Sequence, residues 1–303
     1  MHAPLPRTQP GGVPMAIGAY LTWGLLPLYL LFVRAVPALE FVAWRIIWTL
    51  PFCLAVFAVR SNWVELRAAL ADRAVLRRLG LSAMLIGVNW VVFTLAVQHG
   101  HLFAASLGYY INPLVNVFFG TLFLHERLNR RQWAAVILAA LGVSLLAFGA
   151  LDMLYISLTL AVSFSAYGLL RKLTPVGPLP GLTIESLLLL VPALAVTGWY
   201  ALGPGGSGMA VSPQLSLLVM LGGVLTGTPL LLFAGAAKRM DYSMLGMIQF
   251  MSPTISFVIG LTVFHEPLRP VQLACFVVIW SAIALFVWDL LAQRRRSTGE
   301  APA

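Results

Sequence analysis

The stretch that decides the fold runs from Ser106 to Asn116, Ser-Leu-Gly-Tyr-Tyr-Ile-Asn-Pro-Leu-Val-Asn, and continues through Phe118, Phe119 and Gly120 to His125-Glu126-Arg127-Leu128. It is apolar, has a proline in its middle with polar groups beside it, and stops at a charged cluster. A weaker copy lies farther along: Leu245-Gly246-Met247-Ile248-Gln249-Phe250-Met251-Ser252-Pro253, then Gly260, then His265-Glu266-Pro267-Leu268. One constant spacing relates Pro113 to Pro253, Gly120 to Gly260, His125 to His265, Glu126 to Glu266, Leu128 to Leu268 and Gln132 to Gln272. Identities at a single spacing mark a duplicated unit, and a repeat has to be found before any element is assigned.

Outward from that stretch, composition identifies the solvent. The chain is 60% hydrophobic and 10% charged, with a mean hydropathy of +0.91. A soluble domain carries about a quarter charged residues, so the medium around this one is lipid. The formal charge of +9 raises nucleic acid as a partner, but the basic residues are confined to short loops and a tail, which excludes it. Cys53 and Cys275 sit inside apolar runs and read as buried small hydrophobes.

Ten apolar runs follow one another, at about 13–33, 38–59, 79–98, 103–124, 133–149, 152–170, 181–201, 214–237, 242–264 and 271–291. Each is near the ~20 residues that cross ~30 Å of hydrocarbon at 1.5 Å per residue. The first lacks a small-residue cleavage site and is expected to stay as a helix. The runs are continuous and do not alternate, which excludes a β-barrel. The expected fold is an all-α polytopic membrane protein of about ten transmembrane helices. Its expected units are two inverted five-helix repeats, 13–149 and 152–292, with tails at 1–12 and 293–303.

Basic loops orient it. With the N-terminus inside, the inner loops hold Arg60, Arg67, Arg73, Arg77, Arg78, Arg127, Arg130, Arg131, Arg171, Lys172, Lys238 and Arg239. The tails add Arg7, Arg294, Arg295 and Arg296, and the outer loops hold only Arg34 and Arg269. Both termini are therefore expected in the cytoplasm. Five spans per unit is an odd number, so the second copy enters the membrane upside down. Inverted repeats place a solute site near the midplane and exchange access by rocking one half against the other. Further pairs support the duplication: Pro51 with Pro192, Gly87 with Gly227, Phe93 with Phe233, and Trp23-Gly24-Leu25-Leu26 with Tyr167-Gly168-Leu169-Leu170.

These residues carry a resemblance. Tyr20, Trp23-Gly24, Pro27, Arg45, Gly87, Asn89-Trp90, Ala105 to Tyr109 and Ile111 to Asn116 resemble paired EamA domains of the drug/metabolite transporter superfamily, and within it the RarD subgroup. Glu126-Arg127, Gln132-Trp133, Ser163-Phe164, Tyr167-Gly168-Leu169, Arg171-Lys172 and Glu185 extend it over nearly the whole chain. Trp44 departs from it, standing where a polar residue is expected. The resemblance implies a permease of the bacterial inner (plasma) membrane, historically linked to chloramphenicol sensitivity, with no settled substrate.

Charges inside hydrocarbon cost at least ~2.5 kcal/mol each, so the few present are the candidates. Arg45 is roughly 10 Å into the second span from its outer end. It either snorkels to the headgroups or clamps a carboxylate or phosphate on the solute. Glu185, a turn into the seventh span, is the carboxylate clearly within a span; it is either a proton carrier or an internal partner for Arg171 or Lys172. Asn89, Asn112, Asn116 and Gln249 either line a site or bond helix to helix. Pro113 and Pro253 each free a carbonyl one turn back. Trp23, Tyr109 and Tyr167 lie too deep for an interfacial belt and could wall a pocket for a flat solute, as could Tyr20 and Tyr110.

The candidate solute-binding set is therefore Trp23, Arg45, Asn89, Trp90, Tyr109, Asn112, Tyr167 and Gln249, with Glu185 for proton coupling. The histidines sit at loops without metal-ligand spacing, no phosphate-cradling glycine loop is present, and no histidine in a span could activate a serine. No metal, cofactor or catalytic residue is expected. Two classes remain open. One is a secondary transporter of a small organic solute such as an amino acid, a metabolite or a chloramphenicol-like drug. The other is a non-transporting membrane protein, either a receptor-like binder or an intramembrane enzyme. The inverted duplication favours the first, because alternating access gives it a mechanical reason.

Overall fold

The computed structural model describes residues 9–60, 63–99, 101–265 and 270–299. Glu266, Pro267, Leu268 and Arg269 lie outside them, as do 1–8 and 300–303, so the second His-Glu cluster is followed only to His265. The described residues form helices throughout. In lipid a helix satisfies its own backbone groups, which open strands cannot.

In order the helices are α1 (Gly12–Leu30), α2 (Ala38–Arg60), α3 (Trp63–Ala71), α4 (Arg73–Gln98), α5 (Leu102–Phe123) and α6 (Arg130–Ala147). A 3-10 turn at Phe148–Met153 leads into α7 (Leu154–Leu173), α8 (Pro178–Leu202) and α9 (Pro213–Arg239). The chain ends in α10 (Tyr242–Gln249), α11 (Met251–Thr262) and α12 (Pro270–Gly299). Nine stretches among the described residues are long and apolar enough to cross a membrane, with Tyr242–Thr262 counted as one. α5, 22 residues long, has the length of a further span.

Three details differ from the sequence expectation. The basic loop after α2 folds as α3, whose Leu66 and Ala69 are buried. The ninth span is interrupted at Phe250 and becomes α10 and α11. The last helix runs on to Gly299, through most of the expected tail.

The packing has a pattern. α1 packs on α9, α10 and α11, and five spans later α7 packs on α4 and α5. α2 packs on α9, and α8 packs on α4. α2 with α8, α5 with α10, and α6 with α12 pair across the two halves. Exchanging each span for the one five places on leaves these pairings unchanged.

Small residues permit the close crossings, as in other membrane bundles. A Cβ on Gly24 would lie 2.8 Å from Ile255 Cβ, and one on Gly246 would lie 2.7 Å from the Pro113 carbonyl oxygen. The two cluster histidines share a backbone feature. His125 has φ 54° and His265 has φ 51°, the only positive-φ residues other than glycine among those described. A left-handed residue at these helix ends turns the chain back, and the Glu126 amide donates to the Gly120 carbonyl at 3.0 Å.

Candidate functional site

α8 begins at Pro178 and carries Glu185 two turns into the bundle. The carboxylate is 2% exposed. Ser82 Oγ of α4 donates to its Oε1, and Tyr167 Oη of α7 donates to Oε2 at 3.5 Å. Arg171 Nε lies 3.6 Å from Oε1, and Arg171 is itself fully buried. Arg171 fits because residue 181 is glycine: a Cβ there would overlap the guanidinium. Its Nη2 donates to the Pro178 carbonyl at 3.0 Å, while Nε and Nη1 have no hydrogen-bond partner. A buried ion pair this loosely satisfied contributes little stability, but losing one partner would strand the other charge.

Beside Glu185 lies a narrow cavity of about 10 Å³, room for roughly one water, lined among others by Thr49, Trp90, Tyr167, Ser186 and Thr226. Arg45 is bound to its wall. Nε of Arg45 donates to Thr226 Oγ1 at 2.7 Å, and the guanidinium carbon lies 5.5 Å from the Trp90 ring centroid and 5.6 Å from that of Phe41. Thr49 Oγ1 donates to the Arg45 carbonyl at 2.7 Å and so fixes the same turn. The two terminal nitrogens of Arg45 have no hydrogen-bond partner among the described residues. They present a free fork, the geometry that takes a carboxylate or phosphate in two parallel bonds. Tyr109 of α5 is 38% exposed and meets Phe93 edge-on, with ring centroids 5.6 Å apart.

Trp90, Tyr167 and Glu185 line one space, and Arg45 is tied to two residues of its wall, Thr226 and Trp90. Trp23 stands one layer away. It packs on Tyr20, Phe164 and Phe233, and Phe233 stacks on Tyr167 at 14°. The amides are used differently. Asn89 Nδ2 donates to the Leu160 carbonyl at 2.9 Å and to Ser163 Oγ at 3.0 Å. Asn112 Nδ2 donates to the Ala161 carbonyl at 2.9 Å and to Ser165 Oγ at 3.2 Å. Gln249 Oε1 accepts from Asn116 Nδ2 at 2.7 Å and from Tyr20 Oη at 3.5 Å. These three side chains join helices to one another.

Sequence reasoning did not single out Ser82, Thr49 or Thr226. A hydroxyl in an apolar helix usually bonds to its own preceding turn, so its presence in a span carries no signal. The signal for Arg171 was its place in a basic pair at a helix end, which reads first as topology.

Comparison with known proteins places this geometry among relatives. The EamA-like transporter family matches residues 10–148. Uncharacterized transporter YojE of Bacillus subtilis is 42% identical over 296 residues, covering 96% of this chain and 98% of its own. Protein RarD of Salmonella typhimurium is 40% identical over 287 residues, covering 94% and 97%. A protein of known crystal structure superposes with a TM-score of 0.72 over 93% of this chain and 98% of its own, at 20% identity, a likeness of fold alone.

Proposed function

Because this chain belongs to the RarD subgroup of the EamA-like transporter family and is a multi-pass membrane transporter, we propose that it carries a small organic solute bearing a carboxylate or similar anionic group, by alternating access. Arg45 holds the anion, Trp90 and Tyr109 wall the flat part of the solute, and Glu185 carries the coupled proton. The membrane is the bacterial inner membrane, with both termini in the cytoplasm. The observation that carries this reading is an Arg45 guanidinium held by Thr226 and Trp90, two residues that line the same cavity as the buried Glu185. An amino acid fits such a site, since its ammonium group faces the carboxylate while Arg45 takes the carboxyl.

The packing pattern supports the inverted duplication on which alternating access depends. The cavity, about 10 Å³, is too small for a solute, so the helices around it have to separate for binding. Asn89, Asn112 and Gln249 act in this account as ties between moving helices.

The test is a thermal-shift screen of the purified protein against amino acids, nucleosides and amphenicols. A ligand at 100 times its Kd adds about 2.7 kcal/mol to the folded state. Carboxylate-bearing solutes should raise the unfolding temperature of the parent and leave Arg45→Ala unmoved. Stabilisation by neutral solutes alone, or equal stabilisation of Arg45→Ala, would refute the assignment.

A further inference from the structure

The two ends of the bundle are tied by different means: at the end away from the basic loops Glu40 accepts from Ser207 and from the Gly208 amide, and Tyr29 Oη donates to the Leu218 carbonyl at 2.6 Å. At the basic end, Lys172 in the last turn of α7 reaches the end of α9, where Nζ donates to the Ala237 carbonyl at 2.7 Å and the Met240 carbonyl at 2.6 Å. Lys238 in the last turn of α9 reaches back, and its Nζ donates to the carbonyl of Thr174, which caps α7, at 2.5 Å. A helix C-terminus leaves carbonyls without intrahelical partners and carries a partial negative charge. Each lysine thus satisfies the helix end opposite its own. The exchange is reciprocal and draws α7 and α9 together.

The equivalent helices five spans earlier are α1 and α4, whose C-terminal ends lie at the opposite end of the bundle. Neither has a basic residue in its last turn. α7 packs on α9, but no comparable packing joins α1 to α4 among the described residues. At that opposite end Arg45 keeps its fork free and Tyr109 is exposed.

We propose that Lys172 and Lys238 are the cytoplasmic gate of the carrier. They hold α7 against α9 while the solute site faces the other side, and they release when it faces inward. This rests on the alternating-access reading above, with the basic end inside. The clamp suits a gate because its acceptors are main-chain carbonyls at two helix ends. Neither lysine forms an ion pair within 4 Å among the described residues. Parting the helices exposes both ammonium groups and the carbonyls to water together, so no group is left buried and unpaired. The gate opens onto Ser186, a buried cavity-lining residue of α8.

The test uses Ser186→Cys in a background with Cys53→Ala and Cys275→Ala, in inside-out and right-side-out membrane vesicles. A membrane-impermeant maleimide reports which side reaches the cavity, and it needs no solute. The Lys172→Met, Lys238→Met pair should label at least tenfold faster than the clamped protein in inside-out vesicles, with no gain in right-side-out vesicles. Lys172→Arg with Lys238→Arg should restore slow labelling. Unchanged inside-out labelling of the Met pair would overturn the gate, as would equal gains in both orientations, which mark general loosening. Absence of solute flux in the parent would instead count against the transport reading and leave the labelling result intact.

Discussion

α5 and the α10–α11 pair carry the same pattern of proline, glycine and left-handed histidine, yet they treat the proline differently. α5 runs unbroken through Pro113, whereas α10 stops at Gln249 and α11 resumes at Met251, just ahead of Pro253. A proline removes one backbone donor and frees the carbonyl a turn back, that of Tyr109 in one copy and of Gln249 in the other. In α5 the flanking side chains reach across, Asn112 to α7 and Asn116 to α10. The matching positions in the second copy are Ser252 and Ser256, and of these Ser256 Oγ donates to the Gly24 carbonyl at 3.3 Å. The positions setting the backbone's course are shared, while the two asparagines beside Pro113 are replaced by serines beside Pro253.

The crossing of α10 over α5 is where the two copies meet, and the largest effect is expected there. Gly246→Val puts a Cβ against the Pro113 carbonyl and within 2.8 Å of Asn116 Cβ. Thermal unfolding in detergent should show a loss of about 1–3 kcal/mol, the usual range for overpacking. Gly198→Val, where nothing lies within 4 Å, should lose far less. Equal losses would mean that the crossing is not tight.

The heads of the two copies also differ: His101 precedes α5 and Asp241 precedes α10. Burial, reinforced by the Glu126 carboxylate and partly offset by the Lys172 ammonium, pushes Asp241 up from 3.8 to about 6. The unfolded chain gives up this proton first, so the native state loses stability as pH rises from about 4 to about 6, and the penalty persists above that. Asp241→Asn should therefore unfold later than the parent at neutral pH. Solvent screening of a half-exposed group holds the gain to about 1 kcal/mol. The gain should vanish below about pH 4; a constant gain at every pH would point to a contact effect instead.

The smallest effect concerns the brace itself. A double-mutant cycle of Asn116→Leu with Gln249→Leu should give a coupling near 0.6 kcal/mol, the average for such bonds in membrane proteins. Zero coupling would show that the two copies are held together by packing alone.

Much of this was legible in the sequence because it is written in spacing. The long apolar runs announced the spans, and the repeated Pro, Gly and His marked the two left-handed helix ends at His125 and His265. The break at Phe250 was not legible, because Pro113 and Pro253 look alike in sequence and differ only in what braces them. Helix α3 hid in a basic loop, since Leu66 and Ala69 are too few to announce a buried face. Arg45 and Glu185 stood out as charges in lipid, but the hydroxyls of Ser82, Thr49 and Thr226 did not, because a hydroxyl in a span usually bonds its own preceding turn, as Thr49 and Thr226 also do. The pairing of Arg171 with Glu185 was one of two alternatives that the chain left open.

The central claim is that Glu185 carries the proton that drives the solute, with Arg171 as its resting counter-ion. Glu185→Gln keeps the shape of the protonated acid and cannot titrate. In proteoliposomes with an imposed pH gradient, the parent should concentrate the solute. The variant should lose that accumulation while still exchanging solute for solute at close to the parent's rate. If Glu185→Gln concentrates solute against the gradient as well as the parent does, Glu185 is a structural partner of Arg171 and the protein is an uncoupled facilitator.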